Sequence, residues 1–327
     1  MRLHVPFSPT IPSRRQVERA LKKMAQAQGM MSQVDLDHMQ VIGRGVHRVA
    51  FQVSVQVRPD PASLSGEHVL LYPYPEEAEG IYHRLQREAE ALTLLNELKP
   101  IFRLPKLLAH TEAEGSVILF ERFVDGVPLD LRVGRCLVGE PWEVAGEIAA
   151  RVHDYHSVAE RLEGGFKTRR EHALHDLELL GQLEEGTFHE ALAWCKDHLP
   201  PEGAPTTLLH GDLSGQNILV HPQGLLAPAL IDWTFVLRGD PAHELAIITQ
   251  GKRRPFEVDH GRERLLEAYK DAGGAEITLE EIYLYEFCLF ARRYRAAKTK
   301  GVARLESPQE PLRMAYNLLK RLTGRPW

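Results

Sequence analysis

The fold is decided by the stretch Leu208-Leu209-His210-Gly211-Asp212-Leu213-Ser214-Gly215-Gln216-Asn217-Ile218-Leu219-Val220, which is followed by Leu230-Ile231-Asp232-Trp233. An apolar pair leads into a polar turn, and an aliphatic run leaves it. Asp212 and Asn217 lie five residues apart in the turn, and Asp232 ends the second apolar run. This layout suits phosphoryl transfer. One carboxylate can orient the proton of an attacking hydroxyl, while an amide oxygen and a second carboxylate hold Mg²⁺ against phosphates.

Asp212 is accordingly the predicted catalytic base, and Asn217 and Asp232 are the predicted metal ligands. An alternative is that Asp212 and Asn217 serve only as turn formers. That alternative leaves the acid at the end of the following apolar strand without an explanation.

These residues resemble the catalytic segments of the aminoglycoside phosphotransferase and choline-kinase-like family, whose members are small-molecule kinases with a protein-kinase-like fold. His-Gly-Asp at positions 210–212 stands where protein kinases have His-Arg-Asp, and Asp232-Trp233 stands in place of Asp-Phe-Gly. The resemblance covers roughly residues 36–300 and is most specific over residues 208–246. Within the turn, His210 is expected to position the loop by hydrogen bonding, and Ser214 and Gln216 are candidates for substrate contact.

The resemblance implies an α+β, protein-kinase-like bilobal fold. Residues 1–122 would form a small nucleotide-binding lobe with an antiparallel sheet and a helix, and residues 123–327 a larger, mainly helical catalytic and substrate-binding lobe. An extra helix is predicted over residues 13–28, because Ser13 and Gln16 form a capping-box pattern and a glycine follows the apolar stripe.

The bulk composition is that of a globular protein. The chain has 327 residues, which is long for a single core and suits two lobes. Its net charge of −5 gives no reason to expect a nucleic acid partner. Cys136, Cys195 and Cys288 are too widely spaced for a disulfide framework or a metal site, so we expect small buried residues in a reducing compartment. No long apolar run and no signal peptide are recognised, which predicts a cytoplasmic protein without a membrane partner.

A Gly-x-Gly turn lies between two predicted strands near the start of the chain. Residues 49–57 alternate between apolar and mostly polar or small side chains, which is typical of a strand. The resemblance implies that backbone N–H groups from Gly43 to Gly45 lie over the nucleotide phosphates, with Arg44 and Arg48 adding positive charge. The alternative is a plain turn with a solvated tip. Arg48 stands where a protein kinase has its third glycine.

The sequence departs from the family at the strand predicted over residues 68–72. The family has a nucleotide-contacting Lys or Arg there, which would align near Leu71, yet no Lys or Arg occurs from His68 to Tyr82. Either another cation replaces it, with Arg44 and Arg48 as the first candidates, or phosphate binding is weakened. The second possibility would make the protein a nucleotide-binding pseudokinase with a regulatory role.

Glu88 lies on the apolar stripe of a helix predicted over residues 76–98, and a carboxylate there is costly unless it is paired. In the family the matching Glu pairs with the strand Lys, so Glu88 needs a different partner here. The alternative is a surface pair with Arg84. The resemblance also places the hinge between lobes at residues 116–123, where backbone groups around Glu121 and Phe123 would contact the adenine.

The segment after the turn reads Gly239-Asp240-Pro241-Ala242-His243-Glu244 and predicts a helix that Asp240 caps. Structural roles are expected for Asp240 and Glu244. Residues 281–327 contain ten Lys or Arg against four Asp or Glu, a local charge of +6. The resemblance implies an acidic surface in members that bind polycationic aminoglycosides, so this basic segment argues mildly against such a substrate. The alternative is that these charges lie on solvated helix faces. Taken together, the residues and the resemblance predict a Mg²⁺-dependent phosphotransferase that uses ATP or GTP. Its acceptor would be a small-molecule hydroxyl, with no obligatory protein partner.

Overall fold

The computed structural model describes residues 11–27, 33–45, 47–60, 65–74, 78–113, 116–131, 139–250, 260–299 and 307–324. The chain divides into two compact units. The first unit comprises Met1–Asp125 with Ala229–Thr234, and the second comprises Gly126–Pro228 with Phe235–Trp327. The expectations for Cys136 and for a signal peptide concern residues outside the described ranges, whereas Cys195 and Cys288 are buried, free thiols.

The first unit is built on a five-stranded antiparallel sheet. Its strands are β1 (Gln33–Arg44), β2 (Arg48–Arg58), β3 (Gly66–Pro73), β4 (Leu107–Ala113) and β5 (Ser116–Arg122), in the order β1-β2-β3-β5-β4. Two helices accompany the sheet, α1 (Arg14–Ala27) and α2 (Ala78–Leu98). One half of the predicted capping box is seen at the start of α1, where the backbone N–H of Ser13 donates to Oε1 of Gln16 at 2.9 Å. The Ser13 hydroxyl donates to the same oxygen, and the N–H of Gln16 donates to the backbone carbonyl of Ser13 at 3.0 Å.

Strand alternation directs apolar side chains to both faces of this sheet. Phe51, Leu70 and Phe120 pack in one buried cluster with residues of α1. Leu71 and Leu119, which follow or precede them by one residue, pack in another cluster with residues of α2. Because neighbouring residues of a strand point to opposite faces, the two helices cover opposite sides of the sheet. The alternation predicted for residues 49–57 is confirmed.

The second unit is mainly helical. Its helices are α3 (Pro141–His153), α4 (His156–Arg161), α5 (Arg169–Gly181), α6 (Gly186–Asp197), α7 (Pro241–Gln250), α8 (Gly261–Asp271), α9 (Leu279–Thr299) and α10 (Gln309–Thr323). α9 packs against α5, α6, α7, α8 and α10, and it is therefore the central helix of the described part of the unit. A reciprocal capping box opens α9: Thr278 N–H donates to Glu281 Oε2 at 2.8 Å, and Glu281 N–H donates to Thr278 Oγ1 at 3.2 Å.

Short strands hold the polar turn that the sequence singled out. β7 (Thr207–Leu209) pairs antiparallel with β10 (Leu237–Gly239), and β6 (Val127–Pro128) pairs antiparallel with β8 (Ile218–Val220). The turn at residues 210–217 runs from the end of β7 to the start of β8. A further strand, β9 (Ala229–Leu230), belongs to the first unit, where Leu230 N–H donates to the carbonyl of Arg103 at 2.9 Å. Among the described helices, none combines the length and the apolar character needed to span a bilayer.

Candidate active site

The turn in the second unit brings the predicted base and one predicted metal ligand into contact. Nδ2 of Asn217 donates to the backbone carbonyl of Asp212 at 2.8 Å and to Oδ2 of Asp212 at 3.0 Å. The side chain of Asn217 is buried. Because the amide nitrogen faces Asp212, the carbonyl oxygen Oδ1 is the atom that Asn217 can offer to a cation.

Glu244, on α7, fixes the backbone of this turn. Its carboxylate is fully buried and accepts hydrogen bonds from three backbone N–H groups, those of His210 at 2.5 Å, Gly211 at 3.0 Å and Leu213 at 3.3 Å. Hydrogen bonds from neutral donors to a carboxylate are stronger than those between neutral groups. Glu244 therefore has the structural role expected for it, and the turn on which it acts is apparent only in the folded chain.

Glycine is required at the centre of the His-Gly-Asp sequence. Gly211 has a φ of +80°, and a Cβ added to it would lie 2.0 Å from the carbonyl oxygen of Phe235. A side chain such as the Arg of protein kinases cannot occupy this position here. The backbone N–H of Asp212 donates to Nδ1 of His210 at 3.3 Å, so the buried His210 contacts the loop that it was expected to position.

The two remaining candidates in the turn differ in exposure. Ser214 is buried and its hydroxyl oxygen has no hydrogen-bond partner, whereas Gln216 is half-buried. The backbone of Ser214 contributes to the turn itself, since its N–H donates to the carbonyl of Asp212 at 2.8 Å.

The first unit contains a buried ionic cluster that joins three segments distant in sequence. Arg48, at the start of β2, donates from Nη1 to Oε2 of Glu88 at 2.6 Å and from Nη2 to Oε1 at 2.9 Å. Glu88, on α2, also accepts the backbone N–H of Trp233 at 3.1 Å, and the hydroxyl of Thr234 lies 3.2 Å from its Oε2. The partner that Glu88 requires is therefore Arg48, and the surface pair with Arg84 is not the reason for its position.

Asp232 completes this cluster, which we call the Arg48 cluster (Arg48, Glu88, Asp232 and Thr234). Its Oδ1 accepts from Nη2 of Arg48 at 2.7 Å and from the Thr234 hydroxyl at 2.6 Å. The backbone of Asp232 is left-handed, with a φ of +64°, which a non-glycine residue seldom adopts. Its side chain is 42% exposed, whereas that of Glu88 is 1% exposed. Asp232 therefore presents the accessible carboxylate of the cluster.

Burial and charge act in opposite directions on the ionisable groups of the cluster. Burial alone lowers the pKa of the Arg48 guanidinium, but the carboxylates of Glu88 and Asp232 outweigh burial and the pKa is raised. Burial likewise raises the pKa of Glu88, and Arg48 is the main group that lowers it. Nearby Glu121 is also buried, and burial, together with the charge of Glu88, raises its pKa to about 8. This shift favours the neutral form of Glu121.

The other predicted nucleotide contacts lie on the sheet of the same unit. Gly43 stands opposite Ala50 in the β1–β2 register, and Arg44 is exposed. The N–H of Gly45 donates to the carbonyl of Arg48 at 2.9 Å, and the N–H of Phe123 donates to the carbonyl of Glu67 at 3.3 Å. These two N–H groups are therefore engaged in hydrogen bonds within the unit, and the predicted contacts of these segments to phosphate and adenine stay predictions.

Sequence reasoning missed a buried polar cluster in the second unit. Ligand-type atoms of His172, Asp176 and His243 lie within 4.8 Å of one another. The backbone N–H of Asp240 donates to Nδ1 of His172 at 3.0 Å, so Nε2 carries the proton of the neutral ring and has no lone pair for a metal ion. Burial, with a smaller contribution from Arg292, lowers the pKa of His172 to about 3. The one sequence signal was the i, i+4 spacing of His172 and Asp176.

The fold resembles those of several solved kinase structures. A spectinomycin phosphotransferase in complex with ADP and spectinomycin superposes with a TM-score of 0.61 at 14% identity, over 97% of this chain and 95% of that one. The GDP and kanamycin complex of APH(2'')-IIIa gives 0.60 at 15% identity, over 94% and 99%. The choline kinase LicA from Streptococcus pneumoniae gives 0.62 at 16% identity, over 93% and 99%. At these identities the likeness shows the fold, and the predicted α+β, protein-kinase-like class is confirmed.

Among curated proteins, the chain matches the acyl-CoA dehydrogenase family member 11 of Gallus gallus, with 36% identity over 63 residues. The match spans 19% of this chain and only 8% of that relative. A family model covers much more of the chain, because residues 75–285 match the model described as the phosphotransferase enzyme family (APH). That range contains both the turn at residues 210–217 and the Asp232 segment. As its motifs predicted, the chain belongs to the APH phosphotransferase enzyme family.

Proposed function

We propose that the protein transfers the γ-phosphate of ATP or GTP to a hydroxyl group of a small molecule, in a Mg²⁺-dependent reaction. The observation that carries this proposal is the turn of the second unit, in which Asn217 holds the carboxylate of Asp212 and Glu244 fixes the backbone. An anchored carboxylate of this kind is what phosphoryl transfer to an alcohol requires.

Asp212 acts as the base in this proposal. The bond from Nδ2 of Asn217 to Oδ2 of Asp212 restricts the carboxylate to one orientation. The carboxylate accepts the proton of the acceptor hydroxyl while the hydroxyl oxygen attacks the γ-phosphorus. The bond between the γ-phosphorus and the oxygen that bridges it to the β-phosphate then breaks. Because the transition state is largely dissociative, the gain comes mainly from orientation of the hydroxyl rather than from a strong base.

The donor set fits Mg²⁺. Oδ1 of Asn217 and the carboxylate of Asp232 are hard oxygen ligands of the type that Mg²⁺ prefers. We propose these two residues as its protein ligands. Bound there, Mg²⁺ would neutralise negative charge on the β- and γ-phosphate oxygens. The neighbours solved with ADP and with GDP support a purine nucleotide as donor for this chain as well.

The pseudokinase alternative rests on the missing cation of β3. The contact between Arg48 and Glu88 weakens this argument. Leu71, at the expected position, packs in the apolar cluster with α2, while Arg48 from the neighbouring strand reaches Glu88 instead. A cation therefore accompanies the glutamate of α2 although the expected strand lacks one. Kinase activity remains the function that these residues support best.

The test is a nucleotide-consumption screen of the purified protein with ATP and with GTP. It would use a panel of hydroxyl-bearing compounds: aminoglycosides, macrolides, choline-like alcohols, sugars and amino-acid derivatives. We expect Mg²⁺-dependent consumption that rises with at least one acceptor and is lost in Asp212→Ala. Consumption that is unchanged in Asp212→Ala would contradict the assignment of the base.

A further inference from the structure

The Arg48 cluster connects the residue that replaces the strand lysine directly to the proposed metal ligand. Nη2 of Arg48 contacts both Glu88 Oε1, at 2.9 Å, and Asp232 Oδ1, at 2.7 Å. A second nitrogen, Nη1, donates to Oε2 of Glu88 at 2.6 Å, so the planar guanidinium is held in a fixed geometry while Nη2 makes the bridge. The single ammonium group of lysine has only one nitrogen and cannot be anchored on Glu88 in this bidentate way while it contacts Asp232.

Asp232 needs such support because its backbone is in an unfavourable conformation. A left-handed φ in a non-glycine residue costs on the order of 1 kcal/mol or more and persists only where the surroundings impose it. Here Oδ1 is held by two donors, the Arg48 guanidinium and the Thr234 hydroxyl at 2.6 Å. Arg48 itself is fixed by its bidentate contact with Glu88, which is fully buried. The orientation of Asp232 is thus determined before any cation binds.

Charge in the cluster is arranged so that this support does not abolish attraction for a cation. The charges of Arg48 and Glu88 cancel, which leaves the single negative charge of Asp232. That carboxylate is the exposed one, since the Asp232 side chain is 42% accessible while that of Arg48 is 8% accessible. A metal ion that approaches from solvent therefore meets the preoriented carboxylate of Asp232, and the Arg48 cluster as a whole carries a net charge of −1.

We infer that Arg48 is a positioning residue that preorganises Asp232 for the metal–nucleotide complex and thereby sets the affinity for that complex. This inference rests on the proposed function. Arg48, a residue of β2, links Glu88 on α2 to the proposed metal ligand Asp232. The expected position on β3 cannot supply this link, because it is occupied by the apolar Leu71. The consequence is that nucleotide affinity in the presence of Mg²⁺ depends on Arg48 beyond its contribution to stability.

The experiment compares wild type with the double variant Arg48→Met/Glu88→Gln. Removing both charges avoids an unpaired buried carboxylate and keeps the net charge of the cluster at −1, so that a change in affinity reports preorganisation rather than charge. Binding of ATP and of GTP would be measured by titration calorimetry in excess Mg²⁺ and again in EDTA. We expect the affinity for the nucleotide in Mg²⁺ to be at least tenfold lower in the double variant than in wild type. The ratio of the affinity in Mg²⁺ to the affinity in EDTA should fall as well.

Arg48→Lys provides a second variant that keeps a cation beside Glu88 and hence keeps the fold. Its affinity for the nucleotide in Mg²⁺ should be three- to tenfold lower than that of wild type, because one ammonium cannot keep the bidentate contact with Glu88 that fixes position 48 while it contacts Asp232. Arg262→Met/Glu286→Gln is the matched control. That pair is also bidentate, with distances of 2.7 and 3.0 Å and a fully buried glutamate, but it joins α8 to α9 and is no part of the Arg48 cluster or of the turn at residues 210–217. The affinity of this control variant for the nucleotide in Mg²⁺ should equal that of wild type.

The outcomes separate this inference from the proposed function. If wild type shows no Mg²⁺-dependent binding of either nucleotide, the proposed function fails and the inference fails with it. Thermal unfolding would first show that both Arg48 variants are folded. If wild type binds nucleotide in a Mg²⁺-dependent manner and the affinities of both variants stay within twofold of the wild-type affinity, the inference alone is overturned. A tenfold loss in the Arg262→Met/Glu286→Gln control would also overturn it, because the effect would then follow from any lost ion pair.

Discussion

Arg48 and Glu88 form a buried, bidentate ion pair across 40 positions of sequence, with N–O distances of 2.6 and 2.9 Å. The pair joins the start of β2 to the middle of α2, and both side chains are almost inaccessible. A pair of this kind is weak support for stability as a whole, because its attraction is offset by the cost of desolvating two charges. Removing one partner alone is strongly destabilising, because the other charge is then left buried without a partner.

Arg48→Met should therefore destabilise the protein by about 3–5 kcal/mol, the range for leaving one buried charge without its partner. Arg48→Met/Glu88→Gln should recover a large part of that loss, since no unpaired charge remains. Urea unfolding followed by circular dichroism measures both. A single variant within about 1 kcal/mol of wild type would show that Glu88 is neutral in the folded protein.

Asp212→Asn should abolish phosphoryl transfer while nucleotide binding stays near normal. The amide keeps the size of the side chain and an oxygen that can accept from Asn217, but it cannot take up the proton of the acceptor. We expect turnover to fall by roughly 10²–10⁴, the usual contribution of a positioned general base. Calorimetric nucleotide affinities provide the control. Wild-type turnover in this variant would refute the assigned role of Asp212.

Asp232→Ala should have the complementary effect. Because Asp232 is a proposed Mg²⁺ ligand, its removal should eliminate the Mg²⁺-dependent part of nucleotide binding and, as a result, turnover. Titration calorimetry in Mg²⁺ and in EDTA measures the difference. An affinity gain from Mg²⁺ as large as in wild type would mean that the metal has other ligands.

Glu244→Gln should loosen the turn at residues 210–217. Glutamine retains one acceptor oxygen in place of two, while three N–H groups of the turn depend on the carboxylate. We expect a loss of about 1–3 kcal/mol in stability and a lower turnover, because a buried donor is left without its partner. Amide hydrogen exchange at Gly211 and Leu213 should accelerate. Glu267→Gln, at an exposed position on α8, is the control and should leave these amides protected.

Acidification should destabilise the protein through His172. In the unfolded chain a histidine takes up its proton near pH 6.5, whereas burial holds the pKa of His172 at about 3 in the folded protein. The stability linked to neutral His172 is therefore complete above pH 6.5 and is lost as the pH falls toward 3, amounting to about 2 kcal/mol at pH 5.

His172→Asn isolates this effect. Its amide oxygen can still accept from the N–H of Asp240, but it does not titrate. The stability of the variant, measured by urea unfolding between pH 7 and pH 5, should vary less with pH than that of wild type by about 2 kcal/mol. Equal pH dependence in the two proteins would mean that folding does not lower the pKa of His172.

Local signals in the sequence were enough for most of the fold. The capping boxes at Ser13 and Thr278 involve residues three apart, and the alternation along β2 is a period that one strand displays by itself. The apolar face that starts at Pro141 extends to Tyr155 in the sequence, but α3 ends at His153 and a short helix begins at His156. A shared face persists across such a break, so periodicity did not reveal it.

The site was predictable only in part, because its side chains meet through long-range contacts. The position of Glu88 on an apolar stripe showed that it needs a partner, but the choice of Arg48 depends on how the start of β2 lies relative to α2. Glu244 could be assigned a structural role, yet its three N–H donors come from a turn more than 30 residues earlier. Arg169, which bridges Asp240 and Glu281, left no pattern in the sequence at all.

The first unit is discontinuous, since Ala229–Thr234 supplies β9, the backbone N–H that Trp233 donates to Glu88, and the carboxylate of Asp232 that contacts Arg48. During synthesis the ribosome makes Met1–Asp125 long before this segment emerges. The segment Met1–Asp125 therefore lacks part of the Arg48 cluster until the chain has been translated beyond Pro228. A fragment cut at Asp125 would carry the same defect permanently, and supplying the missing hexapeptide in trans would be the natural remedy.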